Sequence, residues 1–263
     1  RNLRNILEAD VDDNTIKDVA ERIGDAQEVL KSKQFPFRFL SAYRELKTVC
    51  NGKVPIIMDS LEDAVQASAQ NIKGFSKETR VLLACDVSGS MYTPISPKSS
   101  VKNYDIGLVL AMLLRNRCEN VVTGIFGDTW KAVAMPLRGI LSNVEQMYKR
   151  EGEVGYSTNG YNVIEYLRNK NIQMDKVMMF TDCQMWNSYG SGQTIQSEWK
   201  KYKEIAPKAK LYLFDLNGYG QSPLNLADND VVLIAGWSDR VFDMLDAIEQ
   251  GGNVLAKIKE IEL

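Results

Sequence analysis

At 263 residues the chain has room for one large domain, or for one domain with a smaller attachment, and its 44% apolar and 25% charged residues are ordinary for a globular protein. A formal charge of -2 gives no general attraction to nucleic acid or to anionic membrane surfaces, so any such binding needs a local patch. Histidine is absent, which removes Ser-His-Asp and Cys-His triads, histidine-ligated zinc and histidine acid-base chemistry together.

The first 75 residues read as helices. "DDNTIKDVAERIGDAQEVLKSK" offers Asp13 or Asn14 as an N-cap and places Ile16, Val19, Ala20 and Ile23 at helical spacing, with lysines at the far end where the helix dipole favours them. "PFRFLSAYRELKTV" starts with Pro36 in a first turn and carries Phe39, Leu40, Tyr43 and Leu46 on one face; "VPIIMDSLEDAVQASAQNI" repeats the pattern. Antiparallel helix pairs of this kind stack in solenoids, where neighbouring repeats supply much of the stability.

From Ser76 the pattern changes. "VLLACD", "NVVTGIFG", "DKVMMFTD", "AKLYLFDL" and "DVVLIAG" are short continuous apolar runs. They are separated by the helix-like stretches "YDIGLVLAMLLRNR", "NVEQMYKRE", "GYNVIEYLRNK", "TIQSEWKKYKEIA" and "SDRVFDMLDAIEQGG". Strands buried on both faces and alternating with helices imply an α/β fold, a doubly wound and mostly parallel sheet covered on each side. "TWKAVAMPL" follows "VVTGIFGD" across a tight Gly127-Asp128 turn, so it is expected to be an antiparallel edge strand with Pro136 near its end. The expected domains are a helical segment over residues 1–75 and an α/β domain over residues 76–263.

Cys50, Cys85, Cys118 and Cys183 lie far apart with no C-x-x-C pair, which gives neither a zinc site nor a disulfide framework and suggests a reducing cytoplasm. No apolar run approaches the roughly 20 residues of a membrane helix. The first residue is Arg1 rather than methionine, so the chain is expected to be trimmed from a longer one.

In a doubly wound sheet, ligands sit outside the carboxyl ends of the strands. Asp86, Ser88 and Ser90 follow the first strand, Asp182 follows "KVMMFT", and Thr158 lies in "GYSTNGYN", the loop that opens the helix before that strand. Two aspartates at one rim repel each other and call for a raised pKa or a cation. With hydroxyls as hard oxygen donors, the set suits Mg2+ or another divalent cation. Taken alone, D-x-S-x-S reads equally well as a helix-capping turn in which Asp86 and Ser88 satisfy loose amides. The threonine and the second aspartate, each after the proper strand, favour the metal.

D-x-S-x-S, then a loop threonine, then T-D after a hydrophobic strand, resembles the metal-ion-dependent adhesion site (MIDAS) of von Willebrand factor A domains. The resemblance implies a six-stranded sheet of order 3-2-1-4-5-6 with one antiparallel edge strand. It implies that Ser88, Ser90 and Thr158 contact the metal, that Asp86 and Asp182 hold it through water or orient the serines, and that a partner's carboxylate fills the open position. The family often has glycine after the second aspartate, where this chain has Cys183. Upstream, "RNLRNILEADV" and "KSKQFPFRFLSAYRELK" resemble the end of the TROVE module of Ro autoantigens and their bacterial relatives, in which helical repeats precede an A domain carrying D-V-S-x-S. That resemblance implies a ribonucleoprotein component that binds small noncoding RNA and the ends of misfolded RNA, and relatives with many more repeats than are present here.

The residues themselves give the RNA reading modest support. Lys31, Lys33, Arg38, Arg44, Lys47 and Lys53 face Glu45 alone, interleaved with Phe35, Phe37, Phe39 and Tyr43 as stacking surface. Most of these aromatics are expected in the helix core, and Arg38 and Arg44 are the better phosphate contacts because the guanidinium fork matches phosphate geometry. Lys200, Lys201, Lys203, Lys208 and Lys210 form a second cluster that also reads as a solvated helix face. A phosphatase reading of Asp86 fails because Ser88 stands where a second aspartate is wanted, and no phosphate loop occurs; no enzyme is expected. The rival function is a protein-interaction A domain that captures an acidic partner residue through the metal without binding RNA.

Overall fold

The computed structural model describes residues 2–9, 11–32, 34, 36–71, 75–184, 192–220, 222–226, 230–237 and 241–249. They fall into two compact units, one holding the described residues of 1–75, 136–145 and 238–263, the other those of 76–135 and 146–237.

The first unit begins with α1 (Asn2–Glu8), α2 (Asp13–Gly24), α3 (Ala26–Ser32), α4 (Pro36–Leu46) and α5 (Val54–Ser68). The cap of α2 is Asp12, one residue before the expected Asp13 or Asn14, because its carboxylate accepts from the amides of Asn14 and Thr15 at 2.9 and 3.0 Å. The run expected as one helix also breaks in two. Asp25 takes an extended conformation and its Oδ1 accepts from Glu28 N at 2.8 Å, so a second cap starts α3 where periodicity alone continues. Helix α5 is the centre of this unit and packs against α2, α3 and α4. It buries Ile57, Leu61, Ala64 and Val65, and each large aliphatic contributes about 1.5–3 kcal/mol.

One division between the units falls between residues 75 and 76, and residues 136–145 and the described residues of 238–263 group with the helices. For residues 136–145 the reason is polar. Glu62 on α5 accepts from the amides of Leu141 and Ser142 at 3.0 and 2.7 Å, and so caps the helix that begins at Ile140. Continuity along the chain does not reveal such a partner.

In the second unit, β1 (Val81–Asp86), α6 (Asn103–Arg117), β2 (Val121–Phe126) and the short β3 (Trp130–Ala132) are followed, after α7 (Ile140–Met147), whose residues up to Glu145 belong to the first unit, by α8 (Tyr161–Asn169), β4 (Lys176–Thr181), α9 (Ile195–Ile205), β5 (Lys210–Asp215) and β6 (Val231–Ala235). A last helix, α10 (Val241–Glu249), groups with the first unit. The sheet has six strands in the order β3-β2-β1-β4-β5-β6. All neighbours are parallel except β3, which runs against β2 with Phe126 opposite Trp130, so the expected doubly wound sheet and its antiparallel edge strand are both present. Every residue of β1 and β4 is buried, as their unbroken apolar runs require. Because the chain leaves β1 towards β2 and returns on the other side at β4, the carboxyl ends of these two strands bound a crevice. Among the described residues no helix is long and apolar enough to cross a membrane.

Candidate metal centre

The parallel register pairs Cys85 with Phe180, so Asp86 ends β1 beside Thr181 and Asp182 lies one residue further along. The two Asp86 carboxylate oxygens have separate partners. Oδ1 accepts from Ser88 N at 2.8 Å and Oδ2 accepts from Thr181 Oγ1 at 2.6 Å. The first bond folds the chain back so that Ser88 and Ser90 present their hydroxyls together, with the two Oγ atoms 3.3 Å apart. The capping bond from Ser88 N to Asp86 and the pairing of the two serine hydroxyls are therefore parts of one arrangement, and Asp86 orients the turn.

Thr158 arrives from a different segment. Gly89 N donates to Tyr156 O at 3.1 Å and joins the serine turn to the 155–160 loop, which is itself moored to the end of β2. Asn159 N donates to Gly127 O at 2.9 Å, Ser157 N to Asp128 Oδ1 at 2.7 Å, and the Asn159 and Asn162 side-chain amides both donate to Asp128 O. Gly155 has φ +79, and a Cβ there would lie 2.1 Å from Asp128 Oδ2, so this approach requires glycine. Asp86, Ser88 and Ser90 thus follow the end of β1, Asp182 follows the end of the neighbouring β4, and the loop carrying Thr158 is bonded to the serine turn at Gly89; Asp86, Ser88, Thr158 and Asp182 are buried and Ser90 is partly exposed.

Two residues that matter here were not site candidates in the sequence. Thr181 anchors Asp86 and accepts from Cys183 N at 3.1 Å. Asp128 looked like no more than a turn residue. Cys183, the departure from the family pattern, adopts φ +58, the left-handed conformation that glycine takes without cost. Its local loop shape is therefore that of a glycine.

Do these residues suit a cation? Burial pushes the Asp86 carboxyl up to about 7 against the hydrogen bonds from Ser88 and Thr181, and Asp182 adds repulsion. Asp182 Oδ1 accepts from Gln184 N at 3.2 Å, whereas its Oδ2 is buried with no hydrogen-bond partner among the described residues. A buried carboxylate oxygen without a partner is costly, and a second carboxylate close by raises that cost. A buried carboxylate oxygen without a partner suits a hard divalent cation better than a bare capping turn, and the paired Ser88 and Ser90 hydroxyls after the adjacent strand are hard oxygen donors.

The candidate RNA contacts are placed less favourably. Arg44 is largely buried, and its Nε donates to Glu145 Oε1 at 2.7 Å, while Lys47 Nζ reaches the other oxygen at 2.9 Å. Lys53 pairs with Asp13 at 3.2 Å and bonds Val11 O, and Lys31 lies 3.4 Å from Glu28. Arg38 is exposed beside Gln34, Ser41 and Glu45 and has no ion-pair partner among the described residues. Lys33 and Phe35 lie outside the described residues. Phe39 is buried, and Phe37 and Tyr43 are half-buried. In the second cluster, Lys201 pairs with the fully buried Glu198 at 2.7 Å and Lys203 with Asp230 at 2.9 Å, so part of that charge serves the fold.

Comparison with known proteins places the two parts of the chain. Residues 80–248 match the family model described as the Ro60 vWA domain, and residues 1–62 match the TROVE domain. The crystal structure of the Deinococcus radiodurans RO (RSR) protein is similar over 95% of this chain, with a TM-score of 0.71 at 20% identity. The chain spans about half of that protein, 52% of its length. Two weaker likenesses are to an aerotolerance-related membrane protein from Bacteroides fragilis (13% identity, 70% of this chain, 96% of that one, TM-score 0.36) and to a manganese-loaded Plasmodium vivax TRAP protein (14%, 65% and 72%, TM-score 0.36). Both are too distant to bear on function. No curated protein sequence matches the chain.

Proposed function

The chain belongs to the family of Ro60 vWA domains, and from that premise we propose that it is part of a Ro-type, RNA-binding ribonucleoprotein component with a divalent-cation site, Mg2+ by preference, in its A domain. The observation that carries the RNA reading is the order of the two matches, a TROVE segment directly ahead of a Ro60-type A domain on one chain. The ligands are small noncoding RNA and the 3' ends of misfolded RNA. Arg38 is the leading phosphate contact, because it is exposed and not engaged in an ion pair among the described residues, with Lys31 and Lys33 on the same stretch of chain. Arg44 and Lys47 contribute only when released from Glu145.

Ser88, Ser90 and Thr158 would hold the cation, with Asp86 and Asp182 balancing its charge, and the orphaned Asp182 Oδ2 supports this assignment. The bound cation supplies an open coordination position for one hard oxygen ligand. Asp86, through Ser88 N and Thr181 Oγ1, orients the serine turn, and Asp128 orients the threonine loop. No catalytic role is assigned. With all four cysteines free, the reducing cytoplasm is the natural compartment.

Filter binding of structured RNA with single-stranded 3' ends, across salt and with or without Mg2+, tests the reading. Salt-sensitive binding weakened by Arg38→Gln supports it. Affinity no better than that of an unrelated protein of similar charge refutes it. The pairing of Arg44 and Lys47 with Glu145 favours a second reading, a protein-interaction A domain that captures an acidic partner residue through the metal. Under that reading Ser88→Ala abolishes Mg2+-dependent protein binding and the chain holds no RNA.

A further inference from the structure

Three loops follow the carboxyl ends of β1, β5 and the strand pair β2–β3, and none of them carries a charge. Residues 87–93, 155–160 and 216–220 read VSGSMYT, GYSTNG and LNGYG. Tyrosine, serine, glycine and asparagine dominate antibody paratopes, where tyrosine gives wide amphipathic contact at low entropic cost and the small polar residues give adaptable hydrogen bonds. A phosphate backbone calls instead for lysine and arginine, and these loops have neither.

The two outer loops each hold a tyrosine outward on a braced backbone. Among the described residues of the second unit, the exposed large apolar or aromatic side chains are Tyr156 at 55%, Tyr219 at 56% and Leu226, which lies further along the connection from β5 to β6. On one side, the 155–160 loop is moored to the end of β2, and the left-handed turn at Gly152 passes so close beneath the Tyr156 ring that a Cβ there would lie 3.0 Å from its hydroxyl. On the other side, the buried Asp215 ends β5. Its Oδ1 accepts from Gly218 N at 3.0 Å and its Oδ2 from Gly220 N at 2.7 Å, which fixes the backbone before and after Tyr219. Asn217 in the same loop accepts from the side-chain amide of Asn103, whose backbone N donates to Thr93 O at 3.2 Å, and Thr93 N donates to Ser90 O at 3.2 Å. The serine turn is thus tied to both tyrosine loops, through Gly89 on one side and through this relay on the other.

We propose that Tyr156 and Tyr219 are the two anchors of a protein-docking surface across the strand ends, occupied by an extended polypeptide segment of the pattern apolar-x-acid-x-apolar whose acid meets the cation. The pattern follows from the spacing. β2 and β5 stand three strand spacings apart, about 14 Å, with β1 and β4 between them. In an extended segment, residues two before and two after a given one share its face and lie about 13 Å apart, so an acid centred over β1 and β4 brings an apolar side chain to each tyrosine loop. Exposed aromatic rings on loops already held in place make strong anchors, because little ordering is left to be done on binding. The destination of the acid rests on the cation site proposed above, and RNA on the helical segment is compatible with this partner.

The test is an array of pentapeptides with aspartate fixed at the centre and each other position varied, probed with the whole chain in Mg2+, followed by fluorescence anisotropy of the best peptide and calorimetric titration of Mg2+. The expected result is a preference for apolar residues two before and two after the aspartate. Tyr156→Ser and Tyr219→Ser are each expected to weaken that peptide about tenfold or more, with Mg2+ affinity and the melting midpoint unchanged because both rings are more than half exposed. Tyr156→Phe and Tyr219→Phe keep the ring and are expected to keep most of the affinity. No peptide binding, no apolar preference at those two positions, or peptide binding that the serine variants leave intact, with Mg2+ still bound, overturns this inference and spares the cation site. A labelled oligouridylate whose binding is lost in the serine variants assigns the rings to base stacking and also overturns it. Absence of Mg2+ binding by the unaltered chain, or peptide binding indifferent to Mg2+, removes the acid's cation and overturns the inference together with the reading it rests on.

Discussion

Replacing Glu145 by glutamine separates structure from RNA binding in the basic segment. Glutamine keeps the shape and one carbonyl acceptor but removes the charge that Arg44 and Lys47 share. Arg44 is only 14% exposed and its Nε sits 2.7 Å from the carboxylate, so exchanging this charge-assisted bond for a neutral one costs about 1–2 kcal/mol. Lys47 is 47% exposed and its share is screened to below about 1 kcal/mol. The sum is about 2 kcal/mol, read as faster hydrogen exchange of the α4 and α5 amides. Hydrogen bonds from Lys47 and Arg44 outweigh burial and hold the Glu145 carboxyl below its ordinary 4.5. Its stabilisation is therefore complete above the unfolded pKa and is lost as pH falls through the lower folded value, so the gap between the two proteins narrows below pH 4.5. The same change releases two cations, so RNA affinity is expected to rise. A loss under about 0.5 kcal/mol with unchanged RNA affinity would refute the assignment of these residues to the fold.

Cys183→Gly removes left-handed strain of about 1–2 kcal/mol and loses a small buried side chain of similar worth, so a thermal melt is expected to move little while Mg2+ affinity holds. Gly155→Ala drives a Cβ into Asp128 at φ +79; at least about 2 kcal/mol of stability is expected to go, together with most of the Mg2+-induced rise in melting midpoint. Asp128→Ala unmoors Ser157 and the threonine loop without touching any proposed ligand, and a weaker Mg2+ response at nearly unchanged far-UV circular dichroism checks this.

The buried strands were legible because β1 and β4 lie wholly inside, so that burial is written as unbroken apolar runs. The metal candidates were legible from spacing and their place after strands, and the sheet order came with the family resemblance. Features set by a distant polar partner were not. Glu145 answers Arg44 from 101 residues away, and Glu62 accepts from the amide of Leu141 from 79, so neither the fate of the basic patch nor the grouping of residues 136–145 is visible in a local window. The break at Asp25 was hidden for a different reason. Aspartate is tolerated on a helix surface, and only its extended backbone and its bond to Glu28 N make it a cap.

The metal assignment is tested most directly by calorimetric titration of Mg2+ into the unaltered chain and into Ser88→Ala and Asp182→Ala. One saturable site that both substitutions abolish while the melting curve stays cooperative is the predicted result. Equal binding by all three proteins, or no binding by the unaltered chain, would contradict it.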